Sequence, residues 1–209
     1  MADAQTDRPR IPPGTTEEIG RVNFALTRLL GAAAGTGPPN LFTTLARHPR
    51  LFRPWLRFAG ALMPGGRLPR AETELVILRV AHNCGCVYEW QHHVRLGRAA
   101  GLSPGQIELV KTSDQAEGWS PRQALLLRAA DELHARRTIS DELWAELRPS
   151  LSDAELIELC MLVGHYQLLA MTINSLGVQP DPPPPAPPSR STRLLRAAFA
   201  RRRREPQPR

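Results

Sequence analysis

Six polar residues suited to starting helices punctuate this chain. Between them, apolar residues recur at helical spacing, and no credible strand alternation appears. Thr15 with Glu18, and Ser152 with Glu155, have capping-box spacing. Ser103-Pro104 and Ser120-Pro121 put proline at a first helical position. Asn40 and Ser140 are side chains of the capping type. After Thr15, the residues Ile19, Val22, Leu26, Leu29 and Leu30 predict one helix, broken by Gly35, Gly37, Pro38 and Pro39. Further helices are expected from Asn40 to Ala46, and from Leu51 to Met63 with Pro54 in the first turn or at a kink. Others run from Arg70 to His82, from about Cys86 to Ala100, and after each of the four serines, the last ending at Gly177. The expected fold class is all-α, about eight helices with short connections.

The 209 residues are 42% hydrophobic, which suits one domain with tails. Residues 1–14 are polar and proline-bearing and are expected to be disordered. The helical domain is placed at 15–179. Residues 180–188 read PDPPPPAPP, a stiff polyproline II spacer. Residues 189–209 form a basic tail whose eight arginines and one glutamate account for the whole net charge of +7. The body is therefore neutral, which argues against a nucleic-acid face on the domain itself. In the tail, Leu194, Leu195, Ala198 and Phe199 recur beside arginines. A basic amphipathic helix there can touch anionic lipid or nucleic acid; a solvated arginine tail is the alternative. No run of about 18 apolar residues is seen, and MADAQTDRPRIPPG lacks an apolar segment, so neither a membrane span nor a secretory signal is expected. The expected compartment is the cytoplasm. Three cysteines do not make a disulfide framework.

The densest chemistry lies in ELVILRVAHNCGCVYEWQHH, Glu74 to His93. If its second half is helical, Cys86, Glu89 and His93 fall at i, i+3 and i+7 on one face. A carboxylate four residues from an imidazole can orient it and tune its proton affinity. A buried Glu–His pair that only staples two helices is the bland alternative. Cys84 and Cys86 flank a glycine and can also be small buried residues near a helix break; Cys160 sits among Leu159, Met161 and Leu162 and reads as core. Glu89-x-x-His92 and Asp131-x-x-His134 have a di-iron spacing, but Glu74 lies too close in sequence to complete that pattern, so no metal is expected.

Several words of this chain resemble the carboxymuconolactone decarboxylase family, which includes the AhpD-like alkylhydroperoxidases. They are Glu74, Leu78-Arg79-Val80-Ala81, Tyr88-Glu89-Trp90, His93 and Ala99-Ala100-Gly101-Leu102-Ser103. A second block runs from Ala129-Ala130-Asp131-Glu132-Leu133-His134 through Thr138-Ile139-Ser140 and Val163-Gly164-His165-Tyr166 to Asn174-Ser175-Leu176-Gly177-Val178. The likeness spans roughly residues 20–180 and implies an AhpD-like helical domain. The AhpD-like pattern is Glu, eleven residues, Cys-x-x-Cys, three residues and His. Glu74, Cys86 and His93 match its Glu, first Cys and His, whereas Glu89 stands at the second Cys, the one that attacks peroxide in that branch. The Tyr-Glu-Trp word is similar to the decarboxylase-like branch.

The resemblance implies an enzyme acting on a small organic acid or lactone. Glu89 and His93 are the expected proton-transfer pair, Glu74 the orienter, and Cys86 a lining residue. Arg79 or Arg95 can hold a substrate carboxylate, and Tyr88, Trp90 and His165 can line the pocket. The alternatives are a thiol-dependent alkylhydroperoxidase working through Cys86, and a non-enzymatic helical oligomer with a binding tail. No cofactor is expected. A homo-oligomer, trimer or hexamer, is implied by the family.

Overall fold

The computed structural model describes residues 8–34, 36–112 and 117–182. Among these residues there are ten helices and no strand, so the all-α expectation holds. The polyproline spacer beyond Pro182 and the basic tail lie outside the described residues.

One compact unit comprises residues up to Phe58 together with the segment from Ser175. It holds α1 (Thr16–Ile19), α2 (Arg21–Ala34), α3 (Asn40–Leu45) and most of α4 (Pro49–Leu62). Ile19, Ala46 and Phe52 form its buried centre. Trp55 closes it, edge-on to Phe42 and stacked on Phe52. The helix expected after Thr15 is in fact two. Gly20, at φ 78°, ends α1 after one turn, because glycine enters that backbone region without a Cβ penalty. Pro54 lies in the second turn of α4, where it removes one intrahelical hydrogen bond. Asn40 does not cap α3: Pro39 occupies that position. Instead, the Asn40 side chain donates to the carbonyls of Gln179 and Pro180, and its backbone N–H donates to Asp181. The start of the spacer is thus held by hydrogen bonds. Residues 8–14, expected to be disordered, are held too. Arg10 N–H donates to the Leu176 carbonyl and Gly14 N–H to that of Thr43, and Arg47 Nε donates to Pro12.

The second unit, Ala59–Asn174, contains α5 (Arg70–Asn83), α6 (Val87–Ala100), α7 (Pro104–Leu109), α8 (Pro121–Arg136), α9 (Asp141–Leu147) and nearly all of α10 (Asp153–Leu176). Here the start signals hold. Ser103, Ser120 and Ser140 accept from the backbone N–H three residues on, and Ser152 exchanges bonds with Glu155. Helix α5 is buried from Thr73 to Ala81 and packs Leu75 and Leu78 against Leu102, Ile107, Val110 and Leu127. Its end explains the placing of Cys86. Gly85, at φ 58°, donates to His82, and Cys86 N–H donates to Ala81. This six-to-one turn hands the chain to Cys86, the N-cap of α6, with no residue between the two helices beyond Cys84 and Gly85.

Helix α10 departs from the expectation that nothing here is apolar enough to span a membrane. By length and composition alone it is, with half of its most apolar stretch buried. An unbroken-run criterion passes over it because Glu155, Glu158 and His165 interrupt the apolar residues.

Candidate active site

The tight α5–α6 turn brings Glu74, near the start of α5, against His93, in the middle of α6. Glu74 is fully buried, and His93 Nδ1 lies 2.6 Å from its Oε2. In this geometry Nδ1–H donates to the carboxylate, which leaves Nε2 as the nitrogen that can take or give a proton. The other Glu74 oxygen accepts from the Arg70 guanidinium, one turn earlier on α5. Arg70 Nε and Nη1 are buried and have no hydrogen-bond partner. A buried donor left unpaired is costly and points to a group that completes it.

Glu89 is 3% exposed, and neither carboxyl oxygen has a hydrogen-bond partner. Burial pushes its carboxyl up to about 8, opposed only in part by the neighbouring Cys86 thiol. A solvated carboxylate would be ionised at neutral pH; here the dry surroundings keep the proton on. Burial, then the nearby Glu89 carboxyl, also push the Cys86 thiol well up. Cys84 moves the same way for the same causes, and its Sγ lies 3.7 Å from His134 Nδ1.

Helix α10 supplies the third wall. Tyr166 stands edge-on to His93, ring centroids 5.1 Å apart, and edge-on to His165 at 5.3 Å. Its hydroxyl donates to Met63 Sδ. Burial, then the Glu74 and Glu89 carboxyls, hold the Tyr166 hydroxyl well above its ordinary value, and Arg70 opposes them. Burial presses His165 down to about 4, so it is neutral at pH 7.

Of the expected catalytic set, Glu74 meets His93, Cys86 neighbours Glu89, and all four are buried. The expected lining set fares differently. His165 reaches the cluster through Tyr166. Tyr88 is buried, and its ring lies 4.7 Å from that of His92. Trp90 packs on the Leu75–Leu78 core, edge-on to His82, with Lys111 Nζ 5.0 Å above its ring. Arg79 is already engaged. It forks onto Asp131 with two 2.7 Å bonds and donates to the carbonyls of Val110 and Thr112. Asn83 shares Asp131. Arg95 lies beside His92. We expect Arg79→Met to lower the unfolding free energy by about 2–3 kcal/mol, because Asp131 and two carbonyls lose a charged partner. Denaturant midpoints check this, and an unchanged midpoint would remove Arg79 from its role as a clamp.

Two residues escaped the sequence reading. Arg70 precedes Glu74 by one turn, and that spacing was the available signal. Glu158, buried on α10, accepts from the backbone N–H groups of Arg67 and Leu68 at 2.5 and 3.2 Å. It fixes the loop that leads into Arg70. A Cβ at Gly66 would collide with the Leu62 backbone carbonyl as well as with Glu158 Oε1, so that loop position needs glycine.

Comparison with known proteins agrees with this architecture. Residues 49–132 match the model of the carboxymuconolactone decarboxylase family. That match, which covers less than half of the chain, is a likeness to the family centred on α4 to α8. No curated protein sequence matches it. Among solved structures, it is similar to an AhpD-core, peroxidase-related protein from Ralstonia eutropha JMP134, with TM-score 0.71 and 22% identity, over 82% of this chain and 93% of that one. It is also similar to a variant of the debrominase Bmp8 in complex with 2,3,4-tribromopyrrole, with TM-score 0.71 and 12% identity, over 92% and 98% of the two chains. A peroxidase-related protein from Silicibacter sp. TM1040 gives 0.69 and 17%, over 87% and 93%. At these identities the likeness concerns the fold.

Proposed function

We propose that this chain is a carboxymuconolactone decarboxylase-family enzyme that performs general-acid chemistry on a small organic acid or lactone, with Glu89 as the proton donor. The observation that carries the reading is the Glu89 carboxyl itself, buried, without a hydrogen-bond partner, and holding its proton up to about 8. An acid poised near the working pH gives the best compromise between being protonated and giving the proton away. Decarboxylation of a lactone acid requires this: as carbon dioxide leaves, a proton must reach the carbon it left. Arg70, whose Nε and Nη1 lack partners, is the group placed to hold a substrate carboxylate, in the role first expected of Arg79. Glu74 fixes the His93 ring with the Nε2 lone pair free to take a proton from water and pass it to Glu89, which restores the acid after each turnover.

The test is a screen of lactones and small carboxylic acids for carbon dioxide release and proton uptake. Glu89→Gln is expected to cost about 10² to 10⁴ in kcat/KM. Wild-type activity should fall as pH rises through about 8, where Glu89 loses its proton. Normal turnover by the glutamine variant would refute the assignment.

The thiol-dependent reading is opposed by the same burial. Cys86 and Cys84 are both pushed up, and a thiol that keeps its proton is a poor nucleophile. Hydroperoxide turnover with a thiol reductant, present in wild type and lost in Cys86→Ser, would overturn the acid–base reading in favour of the thiol.

A further inference from the structure

The two long helices of the first unit carry one pattern twice. Arg21-Val22, Ala25 and Arg28-Leu29 of α2 correspond in spacing and type to Arg50-Leu51, Pro54 and Arg57-Phe58 of α4. All ten residues are exposed. Positions seven apart on a helix lie nearly over one another, so each helix shows solvent a row of arginine beside a row of apolar residues. Val22 and Leu51 are 69% and 60% exposed. The core of the unit does not need them. Phe24 and Leu26 of α2, with Phe52, Trp55 and Leu56 of α4, fill it from other sides of the helices.

Neither helix has an aspartate or a glutamate. Residues 8–58 contain eight arginines against Glu17 and Glu18, and Glu18 is bonded to Arg47. Residues 59–174 contain fourteen acidic and eleven basic residues. The neutral sum of the body therefore joins a basic unit to an acidic one.

We infer that the first unit docks on an anionic lipid surface through the outer face of α4, helped by the matching face of α2. Three observations select that partner. First, an arginine row beside an apolar row suits the lipid interface. The guanidinium groups bind headgroup phosphate or carboxylate, and the apolar residues beside them enter the acyl boundary. Second, the charges fit this surface better than the alternatives. A second copy on the same face would bring Arg50 and Arg57 against like charges. A nucleic-acid duplex would take the arginines but set Leu51 and Phe58 against its phosphate backbone, where apolar contact contributes nothing. Third, the chain leaves this unit towards its other basic segment. Asn40 of α3 holds Gln179, Pro180 and Asp181, and residues 189–209 then add eight arginines and one glutamate. Stable membrane attachment takes two signals, and an apolar anchor with a polybasic segment supplies both. The inference stands apart from the acid–base reading, since no proton-transfer group takes part.

The test is sedimentation of the full chain with vesicles of phosphatidylcholine alone, and of phosphatidylcholine mixed with phosphatidylserine, at physiological ionic strength. Wild type should sediment with the mixed vesicles and stay in solution with the neutral ones. Arg50→Gln/Arg57→Gln should weaken binding roughly 30-fold, the effect of two charges at an anionic surface. Leu51→Gln should weaken it at unchanged net charge, and Val22→Gln should do so to a smaller extent. Thermal midpoints should not change, since every altered side chain is exposed. Each variant keeps the basic tail, so any difference belongs to the body. Equal binding by wild type and both α4 variants assigns the attachment to the tail and overturns the inference. So does a wild type that ignores both kinds of vesicle. Without vesicle binding, duplex DNA binding that Arg50→Gln/Arg57→Gln abolishes and Leu51→Gln leaves intact gives the face to nucleic acid instead. An oligomer that Leu51→Gln dissociates, again without vesicle binding, gives it to a second copy.

Discussion

Replacing Glu89 with glutamine should make the fold more stable at pH 9 while lowering the proposed activity about 10² to 10⁴-fold. A carboxyl raised to about 8 in the folded chain keeps a proton that the unfolded chain sheds near its ordinary value of 4.5. Between those values the folded state binds more protons, so stability falls as pH rises, and the loss is complete above about 8. The width of that window, about 3.5 pH units, corresponds to on the order of 5 kcal/mol. Glutamine has the same shape and nothing to ionise, so it escapes the loss. Urea midpoints for wild type and Glu89→Gln should therefore nearly coincide at pH 4.5 and separate steadily towards pH 9, with the variant higher. Parallel curves at all pH values would mean that Glu89 is not held protonated by burial. His165 gives the opposite slope on the acid side. Burial presses it down to about 4, so its contribution is full above its ordinary 6.5 and is lost as pH falls towards 4. A group that weakens the fold at working pH and packs against no hydrogen-bond partner is what a preorganised acid looks like from the standpoint of stability.

How much of this could be read from the residues follows from the range over which each determinant acts. Ser103, Ser120, Ser140 and Ser152 work within three residues of themselves, and all four helix starts are where the sequence puts them. The Glu74–His93 contact was legible because a short turn with one glycine allows only a hairpin of helices. Gly20 was missed because apolar periodicity runs straight through it, and only its backbone angle breaks the helix. Asn40 was misread because its partners lie about 140 residues away. Arginines were the least legible. Arg70, Arg79 and Arg95 are alike in sequence, yet one faces Glu74, one is consumed by Asp131 and two carbonyls, and one rests beside His92 at the surface. Which carboxylate an arginine meets is decided by packing between helices, and helical spacing contains no trace of it. Glu158 is the same case: its partners are backbone N–H groups of a distant loop.

Glu74→Ala should be the most destabilising single change in the site. The carboxylate is fully buried and serves two partners, the Arg70 guanidinium and the His93 ring. Removing it leaves a guanidinium that is 13% exposed with no counter-charge, and opens a cavity between α5 and α6. Breaking a buried pair from one side costs about 3–5 kcal/mol, because the orphaned charge remains. The Arg70→Met/Glu74→Leu pair should recover most of that loss, since two apolar side chains of similar volume desolvate at little cost. A double-mutant cycle on denaturant midpoints at pH 7 measures the coupling directly, and additive effects would show that the pair is not the unit described here. The two outcomes also separate structure from function. If Glu74 only braces two helices, the stability-recovered double variant regains turnover. If Glu74 sets the His93 tautomer and Arg70 receives the substrate, stability returns and activity does not. The pH profile gives an independent reading: the limb near 8 assigned to Glu89 should stay in place in the Glu74 variants, since burial and not Glu74 sets it.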